Sequence, residues 1–400
     1  MRVALLSYST RPRGGVVHTL ALAEALAAQG EQVTVWSLGR GGDAAFFRTV
    51  DPAVEVRLVP FPEVEQESVG ARILRSIDVL GAALAPEVDS YDVVHAQDCI
   101  SANAVTRAGG RCLRTVHHLD SFTTPELAAC HERAIVDPVG HVCVSGSVAA
   151  ELREGWGIEA AVIVNGVDAA RFERAAGPGP PAVAARERWR ASWAPYVLSV
   201  GGIEPRKGSL DLLEAYALAR AEVPALRLVV AGGETLFDYR GYRADWDRRA
   251  VELAADPVLL GTVADDDLPA LVAGASVFAF PSVKEGFGLA PMEALAAGVP
   301  VVARDLPVLR EVLGEAAELA LDPTGLAAGI ARAVRGGEPG RDDRVAAGRA
   351  LAARHTWSAA AAAHRELYTR HAAEPHCRRI LSDRLATRSP AESSFNASST

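Results

Sequence analysis

The sequence predicts an α/β protein built from two doubly wound, Rossmann-like domains in tandem. Short apolar runs alternate with helical segments through the first half of the chain, and such runs are typical of parallel strands buried on both faces. A segment rich in proline and glycine, residues 177–181, interrupts the alternation, which restarts near residue 196. The interruption and the restart indicate a second sheet.

The first half begins with a strand at Val3–Ser7, a glycine-rich turn and a helical segment at His18–Gln29. The run Val54–Val59 alternates apolar residues with Glu55 and Arg57, which predicts a half-exposed or edge strand. The other strands of this half are expected at Gln32–Leu38, Val93–His95, Leu113–His117, Val142–Ser145 and Ala161–Val164.

The connection between the halves is expected within Arg171–Pro195, because Gly177-Pro-Gly-Pro-Pro181 cannot form the interior of a helix or strand. An alanine-rich final helix is expected at Trp357–Arg370. The strands of the second half are expected at Tyr196–Val200, Leu226–Val230, Val258–Leu260, Val277–Phe280 and Val299–Ala303.

These elements predict four segments. An N-terminal Rossmann-like domain covers residues 1–180 and a C-terminal one covers residues 190–355. The helix at 356–372 is expected to pack back on the N-terminal domain, and the polar tail at 373–400 is expected to be disordered.

Composition excludes several classes of protein. The 400 residues carry a formal net charge of −9 without a long basic block, which argues against a nucleic-acid partner. The five cysteines form no Cys-x-x-Cys or Cys/His pattern, so we expect a reducing compartment and no zinc site. The short apolar part of the N-terminus and the lack of an apolar run of about 18 residues predict no signal peptide and no transmembrane segment. We therefore expect a cytoplasmic protein, and peripheral membrane contact stays open.

The most informative stretch runs from Phe280 to Pro300, FPSVKEGFGLAPMEALAAGVP. A strand ends at Phe280, a loop with Gly286 and Gly288 follows, and a helix is expected near Pro291 because proline suits the first helical turn. Such a loop lies at the carboxyl end of the sheet, where its amides can face a phosphate or sugar hydroxyls.

Glu285 and Glu293 flank this loop, eight residues apart. Either glutamate alone is more often a solvated surface residue, whereas the complete string favours function. The string resembles the E-x7-E signature of the retaining glycosyltransferase family 4, which shares the GT-B fold with glycogen synthases. The resemblance extends from Val3 to about Tyr368. It implies two domains facing each other across a cleft, with the acceptor in the N-terminal domain and a nucleotide-sugar donor in the C-terminal domain.

The resemblance implies roles in the C-terminal domain. Glu285 would orient the sugar and stabilise charge at the reacting centre, and Glu293 would bind the ribose. The backbone between the glutamates would hold diphosphate and sugar. The residues of this donor loop are Gly286, Phe287, Gly288 and Leu289.

A second loop, Val200–Gly208, is similar to the family's diphosphate loop. Adjacent cations at a strand's carboxyl end suit a pyrophosphate, and Arg206 and Lys207 hold that place, although an isolated Arg-Lys pair is commonly a solvated surface feature. A common family pattern has arginine directly after the first glycine. Gly202 stands there, and Arg206 would supply the charge instead. The string ending at Val263 resembles the family's cradle for the nucleotide base.

In the N-terminal domain, Gly14 and Gly15 follow the first strand, where they allow a ligand to approach the backbone. The loop is similar to the family's first glycine loop, and a simple turn is the alternative. His117 ends another strand and matches the histidine that lies near the reacting sugar in this family, with His118 as the neighbouring alternative.

Further candidates on the acceptor side are His95, Asp98 and Asp120, each at or just after a strand end. The run Asp265–Asp267 precedes a helical segment, where aspartates cap the helix, and we interpret it as a cap rather than as the Asp-x-Asp metal motif of the other main glycosyltransferase fold. We therefore expect neither a metal nor a cofactor besides the nucleotide-sugar co-substrate.

The expected function is the retaining transfer of a hexose from a UDP- or GDP-sugar to an unidentified small-molecule, glycan or lipid acceptor. The alternatives are a GT-B-fold sugar-nucleotide epimerase, a phosphorylase, and a non-catalytic nucleotide-sugar-binding homologue. A Rossmann dehydrogenase is disfavoured because neither glycine loop reads G-x-G-x-x-G.

Overall fold

The computed structural model describes residues 1–120, 122, 124–233, 239–337 and 340–373. The tail predicted to be disordered lies outside the described residues from residue 374 onward. Within these ranges the chain forms two parallel sheets, one of seven strands and one of six. The prediction of two doubly wound α/β domains is confirmed.

The seven-stranded sheet has the order β3-β2-β1-β4-β5-β6-β7. Its strands are β1 Arg2–Leu6, β2 Gln32–Arg40, β3 Val54–Phe61, β4 Val93–Ala96, β5 Leu113–Val116, β6 Gly140–Cys143 and β7 Ala161–Val162. The six-stranded sheet has the order β10-β9-β8-β11-β12-β13. Its strands are β8 Tyr196–Val200, β9 Arg227–Ala231, β10 Val258–Gly261, β11 Val277–Phe280, β12 Val301–Arg304 and β13 Glu318–Ala320.

Helices connect successive strands and cover both faces of the sheets. Those of the first part are α1 Gly14–Ala28, α2 Val69–Leu84, α3 Cys99–Arg107, α4 Pro125–Val136, α5 Gly146–Trp156, α6 Ala169–Ala176 and α7 Pro180–Trp193. Those of the second part are α8 Ser209–Glu222, α9 Arg240–Glu252, α10 Leu268–Gly274, α11 Leu289–Ala296, α12 Pro307–Leu313, α13 Pro323–Arg335, α14 Arg341–Arg354 and α15 Trp357–Ala373.

The strand order reverses once in each sheet. In the first sheet β1 pairs with both β2 and β4, so that Leu5 lies beside Val35 and His95. In the second sheet β8 occupies the same place between β9 and β11. A crevice opens at the carboxyl ends of strands where the order reverses, and open α/β sheets bind ligands there. The loops after β1, β4, β8 and β11 therefore define the place to look for a site.

The predicted edge strand is confirmed, since β3 lies at one edge of the first sheet. The strand β13 and the start of α1 differ from the prediction. The strand β13 was missed because its surroundings, rich in Ala, Glu and Leu, favour a helix by composition. The helix α1 begins at Gly14 rather than His18, because amides of a first turn need no partner within the helix and glycine is tolerated there.

The final helix crosses back to the first sheet. Ala361 and Tyr368 of α15 are buried among apolar residues that include Val3 and Leu5 of β1. The preceding helix α14 packs on α11 of the second sheet. The chain therefore passes between the two sheets twice, once through α6 and α7 and once before Trp357.

The two sheets contact each other through their carboxyl-terminal loops. The carboxylate of Glu311 accepts hydrogen bonds from the amides of Gly146 and Ser147 at 2.7 and 2.8 Å. Lys284 pairs with Glu151 at 3.2 Å. These contacts bring α12 and the loop after β11 against α5 of the first domain.

Candidate active site

The candidate site lies where the loops after β1, β5, β8 and β11 meet. Gly286 packs so tightly on the first domain that a Cβ atom added to it would overlap the carbonyl oxygen of His117. On its other side His117 faces Gly15, where an added Cβ would lie 3.5 Å from the imidazole Nε2. The donor loop of the second domain and His117 of the first domain therefore meet at the candidate site.

A cluster of charges occupies the second-domain side of this cleft. Lys207 Nζ lies 2.5 Å from Glu285 Oε1, and Arg206 Nη1 lies 3.1 Å from the same oxygen. Burial by itself raises the pKa of Glu285, but Lys207 and then Arg206 outweigh burial and lower the pKa to about 2. Glu285 is therefore a carboxylate throughout the neutral range.

Glycine geometry places Lys207 in this cluster. Pro205–Lys207 form one short turn, and Gly208 follows in a left-handed conformation with φ of 62°. A Cβ at Gly208 would overlap the carbonyl oxygen of Pro281 at the start of the catalytic loop. Only glycine lets the two loops approach this closely.

The donor loop turns into helix α11 at Gly288, whose φ of 94° is accessible mainly to glycine. Leu289 begins the helix, two residues earlier than the predicted start near Pro291. The amides of this first turn have no partner within the helix. Phe287 is buried in the core of the second domain and fixes the loop from behind.

Glu293 lies half-buried on α11. Burial raises its pKa to about 8, Arg171 lowers it, and Asp265 and Asp168 raise it further. Arg171 pairs with Asp265 at 2.8 Å, so this guanidinium is shared between the carboxylates. The pKa values of the two glutamates are therefore shifted in opposite directions, down for Glu285 and up for Glu293.

His117 is held as a neutral imidazole. Burial, together with His118 and Arg114, lowers its pKa to about 3. Its Nε2 atom has no hydrogen-bond partner among the described residues. The neighbouring His118 pairs with Asp120 at 2.9 Å, and Asp120 also feels the positive charge of Arg206 across the cleft.

Two acceptor-side candidates, His95 and Asp98, do not have the surroundings expected of residues that bind an acceptor. His95 is fully buried, with Nδ1 2.7 Å from the phenol oxygen Oη of Tyr368 and Nε2 2.9 Å from the hydroxyl of Thr115. It braces α15 against the sheet and does not line the cleft, because β4 is central and its side chains pack under helices. Asp98 caps α3, accepting from the amides of Ser101 at 2.8 Å and Tyr8 at 3.1 Å.

The predicted cap at residues 265–267 is wrong in its detail. Asp267 occupies the N-terminal position of α10, but its side chain makes no capping bond. It pairs with Arg188 at 2.6 Å instead. Asp265 is taken by Arg171, as described above. Val263 lies half-buried beside these residues, packed on the second-domain core.

Sequence reasoning missed three residues of this region. Glu204 pairs with Arg206 at 3.2 Å and lies only two positions before it, a proximity that could have signalled the contact. Arg171 and Glu311 gave no local signal, because each reaches the site from a distant part of the chain.

Two family models match the chain. The one described as glycosyl transferases group 1 matches residues 186–349, and the one described as glycosyltransferase family 4 matches residues 12–171. A phosphatidyl-myo-inositol mannosyltransferase of Mycobacterium tuberculosis is 31% identical over 384 residues, which cover 90% of this chain and 94% of that protein. The chain belongs to the group 1 glycosyltransferases.

Other relatives of this glycosyltransferase carry related names. A D-inositol 3-phosphate glycosyltransferase of Salinispora arenicola is 30% identical, covering 76% of each chain. An O-antigen chain mannosyltransferase B of Escherichia coli is 39% identical over 140 residues, 34% of this chain and 35% of that protein.

Solved structures show the same fold. HepE of Anabaena, crystallised with UDP and glucose, has a TM-score of 0.73 at 19% identity and covers 92% of this chain and 100% of its own. Sucrose-phosphate synthase of Thermosynechococcus elongatus has a TM-score of 0.75 at 21% identity, covering 92% and 98%. The predicted GT-B fold of this glycosyltransferase is confirmed.

In the described part of this glycosyltransferase, no helix has the length and hydrophobicity needed to cross a membrane.

Proposed function

We propose that this glycosyltransferase moves a hexose from a UDP- or GDP-sugar to a hydroxyl of its acceptor, with retention of anomeric configuration. The observation that carries the proposal is the single carboxylate of Glu285, which Lys207 and Arg206 hold directly before Gly286, the residue that packs against the backbone of His117. A transferring sugar fits between these groups, with its leaving diphosphate toward the cations.

The cations have a direct role in the departure of the diphosphate. Lys207 and Arg206 neutralise the negative charge that collects on the leaving group, which is a large source of transition-state stabilisation in a cleft closed to water. The amides of Gly286–Leu289 add donors for phosphate and sugar oxygens. The protein's own groups supply the charge in this proposal, and no metal or cofactor takes part.

The transition state has oxocarbenium character at the anomeric carbon, as in glycoside chemistry. Glu285, ionised because the two cations lower its pKa, orients the sugar and stabilises the positive charge. The neutral His117 accepts or donates a hydrogen bond at a sugar hydroxyl. Gly14 and Gly15 open the first turn of α1 to the sugar and the phosphates.

The rest of the donor extends along the second domain. Glu293, the fifth residue of α11, binds the ribose hydroxyls, and Val263 lies against the base. Relatives named as mannosyltransferases favour a mannose donor, whereas HepE was crystallised with UDP and glucose. Both a GDP- and a UDP-sugar therefore belong in the test.

A thermal-melting screen against UDP-, GDP- and ADP-sugars tests the donor site. Ligand binding to the folded state raises the melting temperature by mass action. We expect a rise with one nucleotide family in the wild type and in Arg227→Ala, an exposed arginine of the second domain, and loss of the rise in Lys207→Ala and Glu293→Ala.

Product analysis then separates transfer from the alternatives. Nuclear magnetic resonance of the product made with the accepted donor should show the anomeric configuration of that donor. Turnover with free phosphate and no other acceptor would instead indicate a phosphorylase, and interconversion of the donor sugar an epimerase. Binding of a nucleotide sugar without any turnover would indicate a non-catalytic homologue.

A further inference from the structure

His18 is a buried histidine of α1 that lies directly beside the proposed reaction centre. Its ring meets the ring of His117 edge to face, with the ring centres 4.8 Å apart and the planes at 81°. Gly15, three residues earlier, faces the same imidazole, since a Cβ added there would lie 3.5 Å from Nε2 of His117. Residues three apart share one face of a helix, so Gly15 and His18 together bound His117 on the side of α1.

His18 also contacts the two segments in which the chain passes between the domains. Its Nδ1 lies 2.9 Å from Oδ1 of Asn165, which belongs to the segment between β7 and α6. Its ring centre lies 5.3 Å from that of Trp357, the first residue of α15. We call residues 163–168 and 355–357 the crossing segments.

The crossing segments are held against each other. The amide of Val167 donates to the carbonyl oxygen of His355 at 2.8 Å, and a Cβ added to Gly166 would overlap the backbone nitrogen of Trp357. Glycine permits this close approach of two backbones. A displacement of either segment would therefore displace Asn165 and Trp357 together, and both of these side chains contact His18.

The imidazole of His18 carries a polar atom that packing alone does not require. The amide oxygen of Asn165 only accepts, so Nδ1 of His18 carries the proton and Nε2 carries a lone pair. This Nε2 is buried without a hydrogen-bond partner among the described residues. An apolar ring would avoid the cost of such an atom. The bond from Nδ1 to Asn165 fixes the rotation of the ring, which an apolar ring could not do.

The surroundings of His18 keep it neutral. Burial, followed by His117 and His364, lowers the pKa of His18 well below its ordinary value. The hydrogen bond to Asn165 raises the pKa but does not outweigh these causes. The proton on Nδ1 therefore stays the single proton of the ring, and the orientation that it sets is the same throughout the neutral range.

We propose that His18 is a positioning residue for sugar transfer, which fixes the imidazole of His117 and ties its place to the crossing segments. The bond to Asn165 sets the orientation of the His18 ring, and edge-to-face packing passes that orientation on to His117. Small displacements at a reaction centre have large effects on rate, so His18 acts on kcat through His117. The proposal rests on the proposed transfer function, in which His117 contacts the sugar.

A double-mutant cycle on the full chain tests the proposal. The reaction is the release of UDP from UDP-glucose or of GDP from GDP-mannose, with water as the acceptor. His18→Phe keeps a ring and removes the bond to Asn165, whereas Asn165→Ala removes the same bond and keeps His18. Each is made alone and together with His117→Ala. The control is His141→Phe, since His141 is buried on β6 beside Arg114 and its Nε2 also lacks a partner among the described residues.

We expect kcat to fall about tenfold or more in His18→Phe and in Asn165→Ala, while the KM for the donor stays within about twofold of the wild type. In the His117→Ala background neither substitution should lower kcat further, because residues that act through one another are not additive. Loss by the same factor with and without His117, wild-type kcat in both variants, or an equal loss in His141→Phe overturns the proposal. If His18→Phe does not fold, Asn165→Ala completes the cycle by itself.

The imidazole signals of His117 provide a second measurement, which needs no turnover. In protein labelled with ¹³C and ¹⁵N at histidine, the signals that disappear in His117→Ala should move in Asn165→Ala, but not when this change is added to His18→Phe. Signals that do not move overturn the positioning role. If the wild type releases no nucleotide, the proposed transfer fails while these signals still decide whether His18 positions His117, so the two failures are distinguishable.

Discussion

Glu311 of the second domain closes over Ser147 of the first, with one carboxylate oxygen 2.6 Å from the Ser147 hydroxyl and 2.8 Å from its amide. The other oxygen accepts from the amide of Gly146. The carboxylate thus satisfies the free amides at the start of α5, where negative charge is favoured. This contact ties the two halves of the cleft together.

Replacing Glu311 by alanine should therefore loosen the closed arrangement. We expect a larger radius of gyration in small-angle X-ray scattering and a several-fold higher KM for the donor, with the fold of each domain kept. Glu315→Ala, which removes an exposed carboxylate on the following turn, is the matched control. Identical scattering of Glu311→Ala and the wild type would contradict the idea that Glu311 holds the two domains together.

The Lys207–Glu285 pair should control the pH profile. Since the pKa of Glu285 is lowered to about 2, kcat/KM of the wild type should not fall through loss of this carboxylate above about pH 4. Removing the cation in Lys207→Ala raises the pKa of Glu285, which moves the acidic limb to higher pH. The same variant should lose about a hundredfold or more in kcat.

Glu285→Gln keeps the size of the side chain and removes its charge. Its kcat should fall by a similar factor without an acidic limb at any pH. A Glu285→Gln enzyme with wild-type kcat would remove this residue from the mechanism.

Glu293 should make the protein less stable as pH rises. Its pKa is about 8 in the folded chain and near the ordinary value of about 4.5 when unfolded. The unfolded state therefore loses its proton first, and stability that is complete below about pH 4.5 falls as pH rises through about 8.

Glu293→Gln should abolish that dependence, raising the free energy of unfolding by about 4 kcal/mol near pH 8 relative to the wild type and leaving it unchanged near pH 4. Urea denaturation at both pH values measures it. Parallel pH curves for the two proteins would contradict the raised pKa.

Gly286→Ala should block closure of the cleft. The added Cβ would overlap the carbonyl oxygen of His117, so the loop or the domains must move apart. We expect kcat/KM to fall at least about tenfold, since small displacements at a reaction centre have large effects on rate. Gly155→Ala adds the same methyl group into open space on α5 and should leave activity unchanged.

Tyr368→Phe should destabilise the attachment of α15. It removes the hydroxyl 2.7 Å from His95 Nδ1 inside the core, and an unpaired buried polar group costs about 1–3 kcal/mol. Chemical denaturation measures the loss, and the KM for the donor should stay as in the wild type. A changed KM with unchanged stability would instead indicate that His95 lines the cleft.

The strand-end motifs could be found in the sequence because their signals are local. Apolar runs predict the sheets, and the glycine loops after β1, β8 and β11 indicate from the sequence alone where the crevice lies. The E-x7-E string contains Glu285 and Glu293 within one continuous segment. Arg206 and Lys207 are also neighbours in the sequence, so both signals are local.

His95 and Asp98 show where local signals mislead. Both follow the pattern of a polar residue at a strand end, yet His95 meets Tyr368 from a helix 273 positions away, and Asp98 turns back to cap its own helix. A position at a strand end fixes where the backbone lies, but the packing of distant helices decides which side chains reach the cleft.

The sequence by itself determined the two α/β domains, the family resemblance and most of the second-domain loops, because each depends on neighbours along the chain. Tertiary structure alone decided that Lys207 and Arg206 share one oxygen of Glu285, that Glu311 clamps Ser147, and that His18 contacts both His117 and Asn165. Those relationships depend on how two sheets and their helices pack, and Coulomb energies at such distances change with every ångström of that packing.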